Sequence, residues 1–332
     1  MFSLKNMWYS IKDRQNASKW RITIVEPKKQ KRTWLRVIII TLLLVLIGTG
    51  AYGYTVYKSL TKAVETMHEP IKRERSEKRI EDITLTKKEP FSLLVLGVDE
   101  REGDRGRSDT IIVLTINPNQ NSVKMLSIPR DTRTEIIGYK MEDKINHAYA
   151  FGGVEMAMAT VEHFLDIPID YYMKINMEGF KEIVDAVGGV TVNNDLDFSS
   201  DGTHFPKGNI TLNGEEALSF SRMRYEDPRG DFGRQLRQRQ IIQAVIKKGA
   251  SLSSLTNYKN IFSALGNNIK TDLQFDEMVD IQKNYRTAAK EISQISIEGK
   301  GTKINSIYYL LISDEEKTRI QDELKSHLEI KS

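Results

Sequence analysis

Residues 37–57 (VIIITLLLVLIGTGAYGYTVY) carry no charged side chain between Arg36 and Lys58. About 20 apolar residues is the length a hydrocarbon core of roughly 30 Å requires. The run has no polar face, so it constrains the chain more than any other segment. A helix, with every backbone group satisfied internally, is the form that suits it. Tyr52, Tyr54 and Tyr57 gather at one end, where amphipathic rings favour the membrane interface. A buried core helix is the competing reading, and the charged flanks on both sides count against it. GTGAYG (48–53) matches G-x-G-x-x-G, but it lies inside this run with no strand before it, so it carries no dinucleotide meaning.

Charge gives the span a direction. Residues 1–36 hold ten Lys/Arg and two acids, a net +8 in a chain of net +4, which leaves the other residues at −4. Basic flanks stay on the cytoplasmic side. The expected organisation is a basic cytoplasmic tail (1–36), an uncleaved transmembrane signal anchor (37–57), a charged extracytoplasmic stalk (58–90) and a folded domain (91–330). The alternating signs of KRERSEKRIED within 58–90 predict a solvated helix or spacer. The chain has no cysteine, so disulfides, thiolate metal sites and cysteine nucleophiles are excluded.

From Phe91 apolar runs of strand length appear. FSLLVLGV (91–98), TIIVLTI (110–116) and VKMLSI (123–128) are bounded by Gly-Val-Asp, NPNQNS and Pro129. Helical patterns at 153–165, 178–187 and 234–248 alternate with strand patterns at 171–175 and 190–192. Asn213 and Glu216 form a capping-box pair that opens a short helix. INSIYYLLI (304–312) reads as one aromatic strand, and two amphipathic helical patterns lie on either side of it. Mixed strands and helices without a repeat predict an α/β fold, a single three-layer α/β/α domain with a mixed central sheet after one transmembrane helix.

The short turn at 117–122 predicts a hairpin between the second and third strands. If the first two strands are also antiparallel neighbours, one sheet edge carries Asp99, Arg107, Asp109, Arg130 and Asp131. The bland reading is a surface ion-pair network. The functional one is a metal and phosphate site. Asp99 and Asp109 would give hard oxygen ligands to Mg²⁺ (or Mn²⁺), and Arg107 and Arg130 would grip phosphate oxygens in a fork geometry.

A second cluster, RMRYEDPRGDFGRQLRQR (222–239), has six arginines and no lysine. That composition suits planar bidentate recognition of phosphate or carboxylate. Pro228, Gly230 and Gly233 break the chain just before a helix, whose N-terminus favours an anion. Arg234 and Gln238 share a helical face, with Arg237 close by. Glu226, Asp227 and Asp231 interrupt the positive run, and the segment is expected outside the cell, so no nucleic-acid partner is expected. His147, in KINHAYAFGG, is a structural residue on the bland reading. No nucleophile motif is present, which points to chemistry by positioning and charge stabilisation.

GVDERE, GRSDTIIVLTINP, LSIPRDT, KINHAYAFGG, YYMKINMEGF, VDAVGGV, LNGEEAL and SRMRYEDPRGDFGRQLRQRQ occur in this order. Together they resemble the LytR-CpsA-Psr family over the whole folded domain. The resemblance implies an α/β/α phosphotransferase with a pocket for a polyprenyl chain. It implies transfer of a phosphate-linked glycopolymer, wall teichoic acid foremost, from a polyprenyl pyrophosphate to N-acetylmuramic acid of peptidoglycan. The family's metal-binding acids fall on Asp99 and Asp109, and its pyrophosphate-binding residues on Arg107, Arg130, Arg222, Arg224, Arg234 and Gln238. Asp231 matches its G-D-x-G-R acid. Catalytic roles are expected for Arg107, Arg130, Asp131, Arg222, Arg224 and Asp231, with Asp131 either a base or an ion-pair partner. The alternatives are hydrolysis of the lipid pyrophosphate and a non-enzymatic lipid-binding sensor or attenuator.

Overall fold

The structure, a computed structural model, describes residues 33–73, 76–99, 106–251 and 268–330. The basic tail before Thr33 and the charged loop at 100–105 lie outside the described residues. The chain divides into two units, residues 1–51 and 52–332. The described part of the first is the beginning of helix α1 (Thr33–Met67). Its apolar side chains are bare, Leu42 at 62% and Leu46 at 69% exposure, and the helix is long and apolar enough to cross a membrane.

The second unit takes up the rest of α1. Val56, Leu60, Val64 and Met67 recur at helical spacing and are all buried. Tyr57 meets Phe275 edge-on at 5.4 Å. The segment 58–90 therefore departs from the solvated spacer that its charges predict. Arg73 pairs with Glu162 at 2.6 Å, Arg79 with Asp170 at 2.8 Å, and Leu85 is buried. Arg73, Lys78 and Arg79 have long-range partners, which a local charge pattern does not reveal.

β1 (Phe91–Val98), β2 (Ser108–Asn117) and β3 (Ser122–Ile128) are successive antiparallel neighbours. A hairpin of β4 (Arg133–Ile136) and β5 (Met141–Lys144) follows, then helix α2 (His147–Leu165). β6 (Tyr171–Ile175) returns parallel to β1 and leads into α3 (Met177–Ala186). β7 (Val190–Asn194) pairs with β10 (Gly208–Leu212) around the small hairpin β8 (Phe198–Ser200) and β9 (Thr203–Phe205). Helices α4 (Gly214–Arg222) and α5 (Asp231–Ser251) come next. β11 (Ile269–Thr271), α6 (Phe275–Asn284) and β12 (Glu291–Ile295) complete the sheet region. The hairpin β13 (Lys300–Ile304) and β14 (Ile307–Leu311) and helix α7 (Asp314–His327) follow. The six-stranded sheet has the order β11-β6-β1-β2-β3-β12 and is mixed.

Alternation along the strands separates two cores. Leu94, Leu96, Ile111, Val113 and Leu126 face α2 and α7. Phe91, Val95, Ile112, Leu114 and Met125 face the other way, towards Tyr285, Ile242 and Ile246. This period-2 division is the three-layer arrangement expected from the sequence. INSIYYLLI is not one strand. Asn305 and Ser306 both take positive φ (49° and 66°) and turn the chain, so Lys300–Ile304 folds back on Ile307–Leu311.

Candidate active site

The strand register brings the first set of charges together. Val98 pairs with Ser108 and Ile111 with Ile128, so the end of β1, the start of β2 and the end of β3 meet at one edge. Arg130 Nη1 stands 3.0 Å from Asp109 Oδ1 across that edge. Burial alone would weaken the Arg130 proton's hold, but attraction to Asp109, reinforced by Asp231 and Asp131, raises its pKa. Gly97 lies opposite Thr110, where an added Cβ would come within 2.8 Å of the Thr110 Cβ, so only glycine allows the strands to close here.

Helices bring the second set. α4 opens with the expected capping box, Asn213 accepting from Glu216 N at 3.0 Å and Glu216 from Asn213 N at 2.9 Å. It ends at Arg222, so Arg222 and Arg224 leave the helix exposed at its C-terminal end. α5 begins at Asp231, three residues before the predicted start. Arg234, Gln238 and Ile242, four apart, form one stripe facing the sheet edge.

These elements surround a cavity of about 320 Å³. Asp99, Asp109, Arg222, Arg224, Arg234 and Gln238 line its polar side. Val95, Ile175, Phe180, Leu218 and Ile242 line its apolar side. Thr110, Asn176, Ser221 and Tyr225 also contribute, and the sequence reading did not single them out. Tyr225 lies between Arg224 and the acids, so an aromatic inside an arginine run is the signal that was available. The apolar lining had no local signal, because pocket and core residues are chemically alike.

Arg234 has the most unusual setting. Burial lowers its pKa, Arg130 and Arg224 repel it, and Asp231 and Asp109 only partly offset this. Nη2 is 2.7 Å from Asp231 Oδ1, while the buried Nε has no hydrogen-bond partner among the described residues. A guanidinium held this way gains from an incoming anion. Asp231 is itself gripped by Arg234 and by Gln235 Nε2 at 2.9 Å, which makes it a positioning residue for Arg234.

Four expected residues, Arg107, Arg130, Asp131 and Asp231, stand off the cavity wall, Arg130 and Asp231 paired with the wall residues Asp109 and Arg234. Arg107 is exposed just before β2 and does not line the cavity. Asp131 Oδ1 accepts from Lys144 Nζ at 2.6 Å, and its Oδ2 is 3.8 Å from Arg130 Nε. The ion-pair alternative for Asp131 matches this geometry better than a free base. Half of the arginine cluster is also structural. Arg229 binds Asp195 and Asp227, Arg237 is buried on Asp227, and Arg239 donates to Gln294 Oε1 at 3.0 Å.

A cleft that is apolar inside, ringed by arginines and flanked by two carboxylates, is a receptor for an amphiphilic phosphate ester, and an α/β/α domain with it belongs to the positioning type of phosphoryl-transfer protein. A family model described as the LytR_cpsA_psr family matches residues 54–326, and the chain belongs to that family. It is 55% identical over 288 residues, 86% of this chain and 95% of the relative, to the "Polyisoprenyl-teichoic acid--peptidoglycan teichoic acid transferase TagU" of Bacillus cereus. The crystal structure of Bacillus subtilis TagU aligns with a TM-score of 0.60 at 52% identity, covering 74% of this chain and 99% of that one. The structure of TagT bound to LI-WTA aligns with a TM-score of 0.68 at 31% identity, covering 79% and 99%.

Proposed function

We propose that this chain transfers a teichoic acid chain from a polyisoprenyl pyrophosphate carrier to peptidoglycan, joining it through phosphate to the 6-hydroxyl of N-acetylmuramic acid. The observation that carries this reading is the union, in one cavity, of an apolar wall with Asp99, Asp109, Arg222, Arg224, Arg234 and Gln238. The apolar wall takes the isoprenoid next to its pyrophosphate. The arginines, with Arg130 behind Asp109 and Arg107 at the same edge, take the phosphate oxygens. The TagU relatives are named for transfer of teichoic acid from a polyisoprenyl-linked form to peptidoglycan, which supports this reading.

The acceptor oxygen attacks the sugar-linked phosphorus. The bond from that phosphorus to the bridging oxygen breaks, the polyprenyl phosphate leaves with the electron pair, and the hydroxyl proton passes to the departing phosphate or to solvent. Charge accumulates on the phosphate oxygens and on the leaving group, and fixed guanidinium groups stabilise it without reorganising. Asp231 and Asp131 hold Arg234 and Arg130 in place. Asp99 and Asp109 suit a Mg²⁺ (or Mn²⁺) ion, because such an ion takes only one or two carboxylates when substrate phosphate and water complete its shell. The bound ion would screen the negative charge of the pyrophosphate.

The apolar part of α1 anchors the chain in the cell membrane as a single-pass signal anchor. The basic tail holds the N-terminus in the cytoplasm, and the catalytic domain stands outside, beside its lipid-borne donor.

The full chain in detergent, incubated with a lipid-pyrophosphate-linked teichoic acid precursor, uncrosslinked peptidoglycan and Mg²⁺, tests the reading. Mass spectrometry of the glycan should find a phosphodiester-linked product that EDTA abolishes. Free sugar phosphate alone would overturn it in favour of hydrolysis. Tight lipid binding without turnover would make the protein a sensor.

A further inference from the structure

The motif KINHAYAFGG (144–153) takes no part in the cavity, yet it is built into the same edge of the sheet. The hairpin β4–β5 leaves directly from Arg130 and Asp131 and is tied back to them. Ile145 N donates to Thr132 O at 2.8 Å, Asn146 N to Arg130 O at 3.4 Å, and Leu310 N to Asp131 O at 2.9 Å. Ile136 is fully buried, and Ile137 N donates to Thr160 Oγ1 at 3.2 Å, so the hairpin is fixed to α2 below its tip.

On this base stands an aromatic surface. Tyr139 at the tip stacks on Phe151 of α2, with ring centres 4.4 Å apart and planes 18° apart. Aromatic pairs of this kind normally serve a core. Here Tyr139 is 52% exposed and Phe151 37%. The His147 ring lies 5.8 Å from Phe151, and its Nδ1 is 2.7 Å from Asp143 Oδ2. Tyr309 donates to the other oxygen of Asp143 at 3.2 Å. With Nδ1 engaged by the carboxylate, Nε2 is left to meet a hydroxyl. The hairpin is joined at its base to the site's sheet edge, where Lys144 of β5 binds Asp131 at 2.6 Å and Arg130 binds Asp109 at 3.0 Å.

We infer that the Tyr139–Phe151 stack, with the His147–Asp143 pair beside it, is the docking site for the acceptor polysaccharide, a strand of N-acetylated amino sugars. This rests on the transferase reading above. A flat exposed ring pair offers the apolar surface that one face of a pyranose ring covers, and the imidazole and carboxylate next to it read hydroxyl and amide groups. Lys144 and Arg133 lie over the Tyr309 ring, 5.9 and 6.0 Å from its centre, and are held by Asp131 and Glu142, each at 2.6 Å. A lipid chain would want an enclosed groove. A stable protein partner would want a far larger apolar patch than one ring pair.

The test uses the full chain in detergent and glycan strands of N-acetylglucosamine and N-acetylmuramic acid stripped of wall polymer. Co-sedimentation measures acceptor binding without turnover, and transfer kinetics are run in parallel with varied glycan and varied lipid donor. Tyr139→Ala should weaken binding and raise the half-saturating glycan concentration about tenfold, the loss of roughly one ring contact, with the donor's half-saturation unchanged. Tyr139→Phe, which keeps the ring, should restore both. His147→Gln should weaken glycan binding without changing the thermal midpoint. Wild-type binding by Tyr139→Ala, or no sedimentation of the wild-type chain, overturns the proposal. If glycan binding follows these variants but no phosphodiester forms, the docking site stands and the transferase reading fails.

Discussion

Asp227 Oδ2 and Arg237 Nη1 are 2.6 Å apart, and neither side chain is more than 1% exposed. Arg237 also donates to Phe220 O at 3.1 Å and to Met223 O, and its guanidinium lies 5.4 Å from the Phe198 ring and 5.9 Å from the Phe220 ring. An arginine from a phosphate-like motif therefore clamps the end of α4 to α5. The clamp aims Arg222 and Arg224 at the cavity from one side and Arg234 from the other.

Removing one member of this pair leaves a buried, uncompensated charge. Arg237→Ala should destabilise the domain by roughly 3–5 kcal/mol. The urea midpoint of the full chain should fall sharply. A midpoint within error of wild type would mean the pair is not the clamp described.

The cavity arginines should behave in the opposite way. Arg222 and Arg224 are exposed, so Arg222→Ala or Arg224→Ala should leave the thermal midpoint within the ordinary surface range, about 0.5 kcal/mol. Transfer should drop about 10²–10³-fold, as when one transition-state donor is lost. Full turnover in both variants would remove these residues from the site.

Gly233 is needed for packing. A Cβ there would lie 1.9 Å from Asp227 Oδ2, with the buried carboxylate unable to move away from Arg237. Gly233→Ala should cost roughly 1–3 kcal/mol or more by overpacking, and activity should fall only as far as folded protein is lost. Soluble, fully active protein with an unshifted melting curve would contradict this.

Asp272 gives a pH dependence. Burial pushes its carboxyl up to about 7, against the hydrogen bond donated by Tyr172 N at 2.9 Å. The folded chain keeps this proton to near neutrality, whereas the unfolded chain releases it near pH 3.9. The contribution is fully present below that pH and is lost as pH rises through about 7. Asp272→Asn removes the titration. The wild-type thermal midpoint should fall relative to the variant's between about pH 5 and pH 8. An equal offset at both ends would rule out Asp272 as the group.

Much of the site could be read without coordinates because its parts are local. Apolar runs broken by turns gave β1, β2 and β3, and the short 117–122 turn forced the β2–β3 hairpin that brings Asp109 and Arg130 to one edge, while Asp99 joined them only through the β1–β2 pairing that the sequence left conditional. The capping box at Asn213 and Glu216 set the start of α4, hence the exit of Arg222 and Arg224. The hairpin at 300–311 was less legible, because Asn305 and Ser306 are weaker turn signals than Asn-Gly and the aromatic run beyond them reads as continuous strand.

The amino-acid sequence by itself determined the long apolar helix, the first three strands and the residue types of the site, since these follow from hydrophobic period, charge and turn chemistry along the chain. Tertiary structure decided which charges act and which support. Arg224 and Arg237 look equivalent in a row of arginines. One is exposed over a cavity and the other is sealed against Asp227, and burial depends on what the chain brings back from far away. The same holds for the charges of 58–90, whose partners Glu162 and Asp170 lie many residues downstream, and for the apolar wall formed by Val95, Phe180, Leu218 and Ile242. A pocket is space enclosed by several elements, and no single segment encodes it.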